Sequence, residues 1–98
     1  MKYVVFQRMN LLVPVIVPEH CVHADIKIEG FKPISAGFFS IERVVNIQTE
    51  SIKRAYSCAR VYLSDSVADS LNLGPRLEDK KLLEDMLINS GAYAFMSF

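Results

Sequence analysis

The sequence predicts an α+β domain: an antiparallel sheet of four to six strands, with one short helix and one C-terminal helix packed on it. Three observations carry this. The 98 residues fit a single domain spanning 1–98 and contain no internal repeat, low-complexity tract or linker. Apolar residues alternate with period two in several segments before Leu63, which is the strand signal. A helical period is clear once, after Gly74-Pro75.

Residues 2–9 are rich in β-formers and read as a first strand rather than a signal peptide, because Arg8 and Asn10 interrupt the apolar run. A second apolar run, 11–17, follows so closely that a hairpin is expected. Pro14 lacks an N–H, which puts this strand at an edge or at a bulge. Residues 18–30 fit two patterns. Cys21, Ala24 and Ile28 share a helical face, while Val22, Ala24, Ile26 and Ile28 alternate; the expectation is a short helix ending near Gly30.

Residues 33–42 read as a strand, with Ile34, Ala36, Phe38 and Ser40 on one face and Phe39 and Ile41 on the other. A turn at Glu42-Arg43 and a further strand at 44–48 are expected, then a strand at 53–63 with Val61 and Leu63 opposite Arg60 and Tyr62. Residues 64–72 form a polar loop anchored by Val67, Ala68 and Leu71. Gly74-Pro75 opens the last helix, Glu78 and Asp79 occupy its first turn, and Gly91 closes it. Its apolar face carries Leu83, Met86 and Leu87. Glu78, Asp79, Lys80, Lys81, Glu84 and Asp85 read as the solvated side. The apolar tail 91–98, with Tyr93, Phe95 and Phe98, is expected to add an edge strand or to bury against a partner.

Eleven basic and eleven acidic residues give zero formal charge. A protein that neutralises phosphates shows a basic excess and a DNA mimic an acidic one, so no direct nucleic-acid binding is expected. Hydrophobic residues make up 51% of the chain and the mean hydropathy is +0.22. Both are high for so small a body, and they point to a homo-oligomer or another protein contact. No stretch approaches a membrane span. Two cysteines, widely spaced, are too few for a secreted scaffold of this size, which makes the cytoplasm the expected location.

No group of residues forms a catalytic signature. His20-Cys21-Val22-His23 concentrates metal-capable side chains, but its spacing matches no zinc pattern, so neither a metal nor another cofactor is expected. Cys58, within a strand, reads as a packed thiol. Ser35-Ala36-Gly37 lacks the Gly two places before Ser that a nucleophile elbow needs; Gly37 instead suits a close backbone approach or a bulge. The best polar binding candidates are Ser64, Asp65 and Ser66 with Arg60 before them and Arg76 beyond, a set able to hold a phosphate near a helix N-terminus. Glu78 and Asp79 oppose that anion. His23 and the tail aromatics Tyr93, Phe95 and Phe98 complete the candidate contacts.

Several short pieces occur in a fixed order: Met1-Lys2-Tyr3-Val4-Val5-Phe6, then Val22-His23-Ala24-Asp25-Ile26, then Pro33-Ile34-Ser35-Ala36-Gly37-Phe38. Ser70-Leu71-Asn72-Leu73, Arg76-Leu77-Glu78-Asp79 and Leu82-Leu83 follow. In order and spacing, from residue 1 to about residue 87, they resemble a family of small uncharacterised bacteriophage and prophage proteins. The chain departs from that pattern at Ala68, where the family favours Ser, at Asn72 (Gly) and at Leu77 (Pro). The resemblance implies a phage origin and a bacterial host cytoplasm, and no mechanism.

Three functions fit these readings. The first is a non-catalytic inhibitor that binds a host defence protein, such as a CRISPR effector. The second is a sponge for a phosphate-bearing nucleotide signal, and the third a phage structural or accessory protein. A hydrolase ranks fourth.

Overall fold

The computed structural model describes residues 1–44 and 58–90. Four strands, β1 (Lys2–Arg8), β2 (Leu11–Val17), β3 (Lys32–Val44) and β4 (Cys58–Leu63), form one antiparallel sheet in the order β2-β1-β3-β4. One α-helix, α1 (Leu77–Ser90), and a single 3-10 turn (His23–Asp25) complete the described elements. The fold is α+β, as the sequence predicts. Among the described residues no helix is long and apolar enough to cross a membrane.

β1 is central, and its alternation feeds two cores. Tyr3 and Val5 join Phe39, Val61, Leu83 and Leu87 beneath α1. Val4 and Phe6 join Val17, Ala36 and Ala68 on the opposite face. Among the described residues no helix covers that second face. Two irregular segments do so, through Cys21, Ile26, Ile28 and Phe31 from one and Leu71 and Leu73 from the other. Each fully buried aliphatic side chain contributes about 1.5–3 kcal/mol relative to exposure.

This second core explains why the helix expected within 18–30 is only one 3-10 turn. A helix would place Cys21 and Ile28 on one face and turn Ile26 away from it. A mostly extended path lets Cys21, Ile26 and Ile28 all lean on Val4 and Phe6. Asp25 fixes the turn by accepting the Val22 N–H at 2.9 Å. Gly30, at φ +82°, then redirects the chain into β3.

The expected turn at Glu42-Arg43 is absent, because β3 runs through both residues to Val44 in register with β4, Glu42 opposite Arg60. Glu42 is exposed, and its carboxylate accepts the Tyr62 hydroxyl. Glu42 therefore marks the solvent face of a strand rather than a turn. The remainder of the expected strands at 44–48 and 53–63 lies outside the described residues, as does the tail. Within β3 the expected faces hold from Ser35 to Ile41. Ile34 switches to the α1 side because the β1–β3 register slips there, Val5 opposing Ser35 and Phe6 opposing Pro33.

β2 is an edge strand among those described, as Pro14 implies. Arg8 and Leu11 close the two-residue turn, so alternate residues 11, 13, 15 and 17 turn their backbone groups toward β1. Pro14 is at an outward position. Its missing N–H costs no ladder bond and blunts the edge against strand addition. On β4 the Val61 N–H is engaged from α1, donating to the Glu84 carboxylate at 2.9 Å.

Met9, first residue of the hairpin turn, has φ +55°. An L-residue with a bulky side chain pays about 1 kcal/mol to be there, whereas Gly adopts it freely, and Gly-Asn is a favoured two-residue turn. Met9→Gly is therefore expected to stabilise the domain by about 0.5–1 kcal/mol. Chemical denaturation checks this as a higher midpoint at unchanged slope.

Candidate functional site

The first turn of α1 carries a carboxylate that the sequence alone places in solvent. Asp79 is 0% exposed. Its Oδ2 accepts the Tyr3 hydroxyl at 2.7 Å and the Arg76 backbone N–H at 2.9 Å. Its Oδ1 accepts the Ser35 hydroxyl at 2.9 Å and the Arg76 guanidinium at 3.4 Å. The backbone contact is half of a capping box, the third helical residue reaching back to the N-cap. Gly37 pairs with Tyr3 across the sheet, and a Cβ there would meet Tyr3 Cε1 at 3.4 Å, an ordinary van der Waals contact. Neither the close backbone approach nor the bulge expected of Gly37 is found there: its nearest neighbours are side chains, and the β1–β3 register shifts between Val5 and Phe6.

Burial raises the Tyr3 pKa above its ordinary value, and the hydrogen bond and charge of Asp79 push it the same way. A raised pKa keeps Tyr3 protonated in the fold after the unfolded chain has begun to ionise, near pH 10. Its contribution is then fully present below that pH and is lost as pH rises further. Wild-type stability is expected to fall more steeply above pH 10 than that of Tyr3→Phe, which urea melts from pH 8 to 11 would read. Parallel pH profiles would show that Tyr3 ionises equally in both states.

His23 is also buried. A ring nitrogen hydrogen-bonds the Gly37 carbonyl at 2.8 Å and the ring packs edge-on against Phe38. The Ala24 N–H donates to Ser70 Oγ at 3.1 Å. The sequence pieces singled out above therefore meet one another: His23 on Gly37, Ala24 on Ser70, Tyr3 and Ser35 on Asp79. His20 is exposed and Cys21 a half-buried free thiol. Among the described residues no three metal-capable side chains converge.

Part of the polar binding set does assemble. Ser64, Asp65 and Arg76 line an open cleft of about 370 Å³ between β4 and the start of α1, with apolar walls from Val61, Leu63, Pro75 and Leu77. Ser66 is not on the wall. Its N–H and hydroxyl instead meet Ser64 Oγ at 3.2 and 3.1 Å, a local turn. Arg60 is exposed on β4 and does not line the cleft. Tyr93, Phe95 and Phe98 lie outside the described residues. Two cleft residues escaped the sequence reading, Tyr62 and Lys80, whose ammonium lies 5.8 Å from the Tyr62 ring centroid. The recoverable signal was their place on facing elements, since Lys80 is one turn into a helix that packs on β4.

The cleft is weakly suited to an anion. Arg76 is paired with Asp79 at 3.4 Å and has Glu78 4.0 Å from its Nε. Asp65 stands on the same wall as Lys80. The hydrogen bond to Glu42 raises the Tyr62 pKa. What the arrangement offers is a mixed-charge, largely apolar contact surface with Leu77 93% exposed at its rim. No protein-family model, curated protein or solved structure matches the chain.

Proposed function

We propose that the chain is a non-catalytic protein-binding module of phage or prophage origin that inhibits a component of a bacterial defence system in the host cytoplasm. The carrying observation is the fate of its reactive side chains. Tyr3, His23, Ser35 and Asp79 are buried and hydrogen-bonded to each other or to backbone, where no substrate reaches them. These four residues lie within the pieces that resemble the phage family, so folding accounts for them there without chemistry. At Asn72, where that family favours Gly, φ is +54°, a conformation both residues accommodate.

The apolar surplus and the exposed Leu77 beside the cleft support a protein contact, and self-association through such surface belongs to the same reading. The sponge is the second reading. Ser64, Arg76 and Lys80 on the cleft favour it, and the pairing of Arg76 with Asp79 weighs against it.

Affinity capture from host lysate, with thermal-shift assays against cyclic and ADP-ribose-type nucleotides, separates the readings. The expected result is one stoichiometric defence protein and no nucleotide shift. A nucleotide shift without a captured protein would favour the sponge, and recovery of the chain in purified virions an assembly role. Light scattering reads the oligomeric state.

A further inference from the structure

We draw no further inference here: the strongest candidate, the open pocket of about 590 Å³ that Phe6, Ile26, Ile28, Phe31, Pro33 and Leu71 line on the second face of the sheet, sets one cation, Lys27, against one acid, Glu29, and nothing in the structure shows what covers it.

Discussion

Leu83→Asp is expected to leave no cooperative thermal transition. Leu83 is fully buried in the cluster of Tyr3, Val5, Phe39, Val61 and Leu87. Shortening it to Ala would remove about 2–5 kcal/mol. Asp adds a carboxylate with no buried partner, which must be desolvated or protonated. Domain stabilities of about 5–15 kcal/mol do not absorb that sum. Leu87→Asp, one turn along the same face, should behave alike, since Leu87 is equally buried. Leu77→Asp is the control, its side chain being 93% exposed, and should fold normally. A soluble Leu83→Asp with the wild-type melting temperature would show that this face of α1 is not in the core.

Asp79→Ala should destabilise nearly as much, for the opposite chemical reason. Here a polar group is taken from polar partners. The Tyr3 and Ser35 hydroxyls, the Arg76 N–H and the Arg76 guanidinium all lose their acceptor, three of these contacts at 2.7–2.9 Å. The Arg76 side chain is 35% exposed and stays solvated, but each buried hydroxyl left without its acceptor costs about 1–3 kcal/mol. For a domain of this size each kcal/mol moves the melting temperature by about 4–8 °C, so a loss of more than about 12 °C is expected. Glu78→Ala, beside it in sequence but exposed, should change stability by less than about 0.5 kcal/mol. Adding Tyr3→Phe and Ser35→Ala to Asp79→Ala should recover part of the loss, because apolar replacement of both partners removes the unmet hydroxyls. Equal melting temperatures for Asp79→Ala and Glu78→Ala would overturn the network.

These two residues divide what was legible from what was not. Leu83 and Leu87 repeat at helical spacing among charged neighbours, and that one-dimensional pattern is enough to place them inside. The same holds for β1, for the alternating faces of Ser35 to Ile41, and for Pro14, whose missing N–H assigns an edge before any neighbour is known. Asp79 carries no such mark. Its neighbours Glu78, Lys80 and Lys81 give it the look of a solvated face, and its hydroxyl partners lie 76 and 44 residues away. The candidate site divides likewise: Ser64, Asp65 and Arg76 were visible as residue types, while Lys80 and Tyr62 joined them only when α1 packed on β4.

The sequence by itself determined the class of fold, the alternating faces of Ser35 to Ile41, the Leu83 and Leu87 face of the helix and the lack of a recognisable catalytic signature, because side-chain periodicity and backbone donors are local properties. The tertiary structure alone decided the path of residues 18–30, where both patterns fit and the sequence leads to the expectation of a short helix. The extended path prevails because it lays Cys21, Ile26 and Ile28 together on the second face of the sheet. It also decided which polar groups are buried. Strand register and helix docking bring distant donors to one carboxylate, and that convergence is a property of three-dimensional packing that no window of sequence contains.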